Sequence, residues 1–298
     1  MNYHYLPADL DPDRVTICIG LISDTHLPDR WNTLQPAIFD TLAGADLILH
    51  AGDVGKLDVL DQLSVLAPVI AVHGNDETTE AQAALPYQQI VALNGTRILL
   101  CHSHIPDRAA ELASRVGDSW QPKLENNAEY ARGFGATIYV SGHLHIPFTV
   151  EVDGVWLINP GAIASGSPTT RQKVQSVALL YLRDDGQPFV VHVDVTHEPV
   201  VLDATVDWEA GFAAAHARYL DSILTADMMP ILEAFRLSQF AEDARTREMI
   251  TALGRPVWAG TKDRISREDL RVALQETQGF SAEERVLIRG LMNNPPVE

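Results

Sequence analysis

Residues 15–26 read VTICIGLISDTH, an apolar run that passes directly into Ser23-Asp24-Thr25-His26. A run of this length, rich in Ile and Val and ended by polar residues, predicts a buried strand over 16–23. Comparable runs recur at 47–50, 69–72, 88–93, 97–102 and 137–141. The first three are separated by stretches suited to helices, 33–43 and 56–67, and in the latter Leu57, Leu60, Leu63 and Leu66 recur at helical spacing. Such alternation predicts parallel βαβ units.

Beyond Leu85 the dipeptides Asn94-Gly95, Asp153-Gly154 and Asp185-Gly186 predict tight hairpins, with further strands at 148–152, 155–158, 174–182 and 189–194. The expected fold is therefore α/β, a mixed two-sheet sandwich with helices outside over 15–204, preceded by a short segment 1–14. From 205 to 298 the strand signal vanishes. Trp208, Phe212, Ala215, Tyr219 and Ile223 recur at helical spacing there, and Ser266 to Asp269 and Ser281 to Glu284 match capping boxes. An all-helical C-terminal extension follows. The stretch between His102 and Thr137 reads as two helical pieces, a crossover or a lid beside the motifs described next.

Of the 298 residues 46% are hydrophobic and 21% charged, the composition of a folded chain. The net charge of -18, with 24 acidic against 11 basic residues up to position 200, argues against nucleic acid and anionic membranes as partners. Cys18 and Cys101 lie in apolar runs and read as core thiols, which fits a reducing compartment. Without a basic-then-apolar leader or an 18-residue apolar run, the expectation is a soluble, cytoplasmic protein.

Five short polar pieces each follow an expected strand: Ser23 to His26, His50 to Asp53, His73 to Asp76, Cys101 to His104, and Ser141 to His145. In open α/β sheets the ligand crevice lies beyond the carboxyl ends of the strands, so all five are expected to converge on one edge. Gly52, Gly74 and Gly142 stand beside ligand candidates, where they let the backbone approach closely. Asp24, His26, Asp53, Asn75, His102, His143 and His145 offer imidazole, carboxylate and amide groups and no thiolate. Seven exceed what one catalytic metal needs, so a two-metal site with a bridging carboxylate is the economical reading. The donor set suits Mn(II) first, with Fe, Zn, Co or Ni also compatible, and it disfavours Ca.

The order D-x-H, G-D, G-N, H-x-H and G-H-x-H, followed by Asn159-Pro160-Gly161, resembles the calcineurin-like metallophosphoesterases, specifically their small bacterial and archaeal phosphodiesterase branch. The resemblance covers about residues 15–200 and leaves the C-terminal helices aside. It implies a four-layer αββα sandwich. It also implies one metal held by Asp24, His26, Asp53 and His145 and a second by Asp53, Asn75, His102 and His143, with Asp53 bridging.

The phosphatase branch of that family follows the Asn with a His taken as general acid, whereas Asn75 is followed here by Asp76 and Glu77. His104 is then the first candidate for the leaving-group proton donor and Asp76 the second, with Asn75 also counted among the catalytic residues. His50 and His73 read as supporting or core histidines, and Arg108 as a surface residue. The expected activity is hydrolysis of a small phosphodiester or phosphomonoester through a metal-bridging hydroxide. A non-catalytic metal-binding or interaction module on the same fold is the alternative. Homo-oligomerisation through the C-terminal helices is a further expectation.

Overall fold

A computed structural model describes residues 4–8, 10–31, 33–103, 105, 117–240 and 243–293. The chain forms two compact units, the first from Met1–Pro28, Asn32–Ser165 and Gln172–Leu220, the second from Asp29–Trp31, Gly166–Arg171 and Asp221–Glu298.

In the first unit β1 (Val15–Ile22) pairs in parallel with β2 (Leu47–His50), which pairs in parallel with β3 (Val69–Ala71). The crossovers carry α1 (Pro36–Leu42) and α2 (Asp58–Ser64), and α3 (Thr79–Ala84) follows β3. These are the βαβ units expected from the alternation, with shorter helices. The second sheet holds β4 (Gln88–Leu93), β5 (Thr96–Cys101), β6 (Ile138–Val140), β7 (Phe148–Val152) and β8 (Val155–Asn159), in the order β4-β5-β6-β8-β7. Here β5, β6 and β8 run parallel and the edge strands antiparallel.

Two short strands, β9 (Thr170–Gln172) and β13 (Leu220–Ser222), lie outside these sheets. The first sheet is completed by β10 (Ser176–Arg183), β11 (Pro188–Asp194) and β12 (Val200–Val201), giving the order β12-β11-β10-β1-β2-β3. The Asn94-Gly95 and Asp153-Gly154 turns hold both residues at positive φ, at 48° and 83° and at 48° and 77°. That geometry matches the right-handed twist of the hairpin strands they join.

Between the sheets Ile19, Leu21, Leu49, Ile98, Leu100, Val140, Ile158 and Leu180 form one buried core. A second cluster covers the other face of the β4–β8 sheet, where Leu99, Tyr139, Phe148 and Leu157 meet Leu124 and Ala128 of α4 (Gln121–Gly133). Trp120 is a core aromatic of this cluster, its ring 5.0 Å from Trp208, 5.1 Å from Phe212 and 5.8 Å from Phe148. The described part of the stretch between His102 and Thr137 thus contributes one helix. Residues 106–116, with Arg108, lie outside the described residues.

Helix α5 (Gly211–Tyr219) belongs to the first unit. The helical period read from Trp208 to Ile223 stops short of Ile223, because Leu220 leaves the helix at φ -123° and ψ 150° and opens β13. In the second unit α6 (Met229–Arg236), α7 (Ala244–Trp258), α8 (Arg267–Glu276) and α9 (Ala282–Asn293) enclose Ile223, Ile231, Phe235, Met249, Leu270, Leu274 and Ile288. The capping box at Ser266 is present, the Asp269 carboxylate accepting the Ser266 N–H at 2.7 Å. Ser281 and Glu284 bond reciprocally in the same manner at 2.6 and 3.1 Å. No helix among the described residues is long and apolar enough to cross a membrane.

Candidate metal centre

The loops that leave β1, β2, β5 and β6 bring their polar residues together. Asp24 Oδ1 lies 3.0 Å from His145 Nε2, 3.8 Å from His26 Nε2 and 3.9 Å from His102 Nε2. Asp53 Oδ2 lies 3.2 Å from His102 Nε2 and 3.5 Å from His26 Nε2. Two triplets, Asp24/His26/His145 and Asp24/Asp53/His102, each gather one atom per residue within 4.8 Å. All five side chains are buried. These are clusters able to hold a metal ion, and the residue common to both triplets is Asp24.

Each carboxylate is held by one oxygen. Asp24 Oδ2 accepts the Ser23 hydroxyl at 2.6 Å and the His143 N–H at 3.0 Å. Asp24 Oδ1, fully buried, makes no hydrogen bond. Asp53 Oδ1 accepts the Asp76 N–H at 2.8 Å, which leaves Oδ2 facing the histidines. His102 Nδ1 donates to the Ala51 carbonyl at 2.8 Å, so Nε2 is the atom turned to the carboxylates. A buried carboxylate oxygen that faces three imidazole nitrogens at 3.0 to 3.9 Å, one of those rings oriented by a carbonyl, is a donor set that fits a divalent cation.

The electrostatics agree. Burial opposes ionisation of Asp24 and Asp53, yet the surrounding histidines hold both carboxyls below the usual carboxylate range. Burial likewise disfavours a charged His102, but Asp53 and Asp24 outweigh it and push the ring up to about 10. The field that retains a proton on His102 is one that attracts any cation.

The backbone at this edge is unusual. Asp24, His26, Asp53, His143 and His145 have φ of 53°, 45°, 52°, 70° and 58°. A left-handed conformation costs a non-glycine residue about 1–2 kcal/mol, and such strain collects at functional sites. It is held by hydrogen bonds between loops: Asp24 N–H to Gly52 O at 3.0 Å, His26 N–H to Asp53 O at 3.0 Å, and Ala164 N–H to Asp24 O at 2.9 Å. Two glycines make the approach possible. A Cβ on Gly142 would stand 1.9 Å from Ser23 Oγ, and one on Gly74 would stand 2.1 Å from Asp53 Oδ1.

Residues 17–185 match the calcineurin-like phosphoesterase superfamily domain. The chain belongs to that superfamily. Two probable metallophosphoesterases are similar to it: one of Methanothermobacter thermautotrophicus, 34% identical over 61% of this chain and 94% of its own length, and one of Methanocaldococcus jannaschii, 35% identical over 57% and 78%. Among solved structures, Vps29 of Entamoeba histolytica in complex with zinc is 24% identical, with a TM-score of 0.48 over 63% of this chain and 100% of that one.

The remaining candidate residues take various places around the calcineurin-like centre. His143 meets His102 edge to face at 5.1 Å between ring centres. Asn75 is exposed, between Gly74 and Asp76 that both touch Asp53. The Asp76 carboxylate stands 3.9 Å from His26 Nδ1. His104 lies outside the described residues.

His50 is a fully buried supporting residue. Thr25 Oγ1 donates to Val54 O at 2.9 Å and so accepts from His50 Nε2 at 3.1 Å, while His50 Nδ1 accepts the Gly52 N–H at 3.3 Å. Burial pushes this ring down to about 4, in keeping with a neutral tautomer.

Two residues act as supports through bonds that their sequence context did not signal. The Glu77 carboxylate accepts the N–H groups of Val54, Gly55 and Gly74 at 2.9, 2.8 and 3.0 Å, joining the Asp53 and Asn75 loops. Its burial raises the carboxyl despite those donors. Asn159, at the end of β8, donates from Nδ2 to Gly142 O at 2.7 Å and accepts the Gly161 N–H at 2.9 Å. Its place in an N-P-G turn was visible in the sequence, but its bond across to the His143 loop was not.

Proposed function

We propose that the chain hydrolyses a small phosphate ester, a phosphodiester before a monoester, with two divalent cations, manganese first among them. The observation that carries this reading is the buried cluster of Asp24, Asp53, His26, His102 and His145. Asp24, His26, Asp53 and His145 would hold one cation, and Asp53, Asn75, His102 and His143 the other, with Asp53 shared between them. Cations there supply Lewis-acid activation of water and neutralisation of the phosphoryl oxygens.

The chain itself supplies the rest. Ser23 and the His143 N–H fix Asp24 so that only Oδ1 faces inward, and the Asp76 N–H does the same for Asp53 Oδ2. Burial of these groups leaves little water to compete with a cation for them. His104 and Asp76 remain the proposed donors of the leaving-group proton. The acidic balance up to position 200 supports a small ester over a polynucleotide, which would need a basic track.

The test is turnover of bis(4-nitrophenyl) phosphate and 4-nitrophenyl phosphate by purified protein with Mn(II), with chelator, and after Asp53→Asn. The expected result is metal-dependent hydrolysis that D53N abolishes. Full activity in chelator-treated protein would overturn it.

A further inference from the structure

A cavity of about 610 Å³ lies where β7, the last strand of its sheet, faces β11 of the other. Residues 4–7, 189–192 and 201–206, with Thr149 and Trp208, line it. All of them belong to the first unit, and no metal-centre residue is among them. The volume falls within the range of small-molecule sites, about 300–1,000 Å³. Tyr5, Phe189 and Trp208 stand half-buried in its wall. The Trp208 ring is held edge to face by Trp120 and Phe148, at 5.0 and 5.7 Å between ring centres, so this wall is in place before anything binds.

One polar pair interrupts the apolar lining. His192 pairs across β10 with Ala178, a residue of the core between the sheets, so its side chain points into the same space. There its Nε2 meets Thr149 Oγ1 of the opposite sheet at 2.9 Å. His192 is 5% exposed and its Nδ1 makes no hydrogen bond. Thr149, half-buried, makes this one bond where a hydroxyl can make three. If Nε2 donates to Thr149, Nδ1 is an acceptor, and if Nε2 accepts, Nδ1 is a donor. A ligand hydroxyl answers either case. Among the described residues no lysine or arginine lines the cavity, and its one carboxylate, Asp203, is exposed. An ion buried there would lack a counter-charge, so the walls suit an uncharged ligand.

We propose that this cavity binds an uncharged aromatic alcohol, its ring against Tyr5, Phe189 and Trp208 and its hydroxyl bonded to the Thr149–His192 pair. The site shares no residue with the metal centre and does not depend on the phosphoesterase reading.

The experiment titrates the purified full chain with 2-naphthol and with naphthalene, which lacks the hydroxyl. It reads affinity by calorimetry and the His192 ring nitrogens by NMR of protein isotopically labelled in its histidines, with the His192 signals assigned by their loss in His192→Gln. The alcohol is expected to bind with a Kd of about 100 μM or tighter and about fivefold more tightly than naphthalene, the size of one hydrogen bond between uncharged groups. The His192 signals move as it binds. Thr149→Val and His192→Phe each bring the two compounds within about twofold of one another. Phe189→Ala weakens both by about tenfold. No saturable binding of 2-naphthol up to about 1 mM would overturn the proposal. So would a fivefold preference that survives in both Thr149→Val and His192→Phe, or His192 signals that stay in place at saturation. Should His192→Phe fail to fold, Thr149→Val and the wild-type NMR titration decide.

Discussion

Asn159 Nδ2 donates to the Gly142 carbonyl at 2.7 Å, a bond between fully buried groups that ties the end of β8 to the loop carrying His143 and His145. Asn159→Leu leaves that carbonyl without its donor. The expected cost is about 1–3 kcal/mol in urea unfolding, with a ~10–100-fold weaker Mn(II) affinity by calorimetry. A variant with wild-type metal affinity would show that the loop holds its place without Asn159.

Glu77 joins two loops through three backbone N–H groups. Glu77→Ala removes all three acceptor contacts, and unfolding is expected to become easier by about 3 kcal/mol. Glu77→Gln, which keeps one acceptor oxygen, is expected to lose less. Equal stability of the two variants, read from urea midpoints at a common slope, would contradict this account.

His192 lies buried on β11, where burial pushes its pKa from 6.5 down to about 4, and its Nε2 bonds Thr149 Oγ1 at 2.9 Å. Below pH 6.5 the unfolded chain takes up the proton and the folded chain does not. Its contribution is thus complete above 6.5 and is lost as pH falls from there toward 4, up to about 3 kcal/mol. His50 acts in the same direction. The His192→Gln variant is expected to show a shallower loss of stability between pH 6.5 and 4 in unfolding curves taken across that range. A slope identical to wild type would refute the assignment.

Ser266 starts α8 with a complete capping box. Ser266→Ala is expected to destabilise the second unit by about 1 kcal/mol, read as faster amide exchange in α8 with the diester activity unchanged. Reduced activity would mean that this cap serves more than its own helix.

The strands and the gathering of Asp24, His26, Asp53, His102 and His145 were legible because both follow from local pattern: a two-residue alternation, a Gly-containing turn, a polar residue where an apolar run stops. Ile223 was misplaced on a helix because its spacing from Tyr219 is right and only the extended Leu220, a matter of tertiary packing, breaks the period. Glu77 and Asn159 were illegible as supports because their partners are backbone groups of distant loops, and a backbone N–H has the same sequence signature everywhere.

The left-handed backbone at Asp24, His26, Asp53, His143 and His145 restricts what can ever stand there. Asp, Asn, His and Gly tolerate that conformation, while β-branched residues do not. In a saturation library, Val or Ile at these positions is expected to fail in folding before it fails in metal uptake, whereas Asn or Gly yields a folded protein without the metal. A descendant that gave up its cations would therefore drift toward Asn and Gly at these five places, and the lost centre would remain readable in that narrowed alphabet.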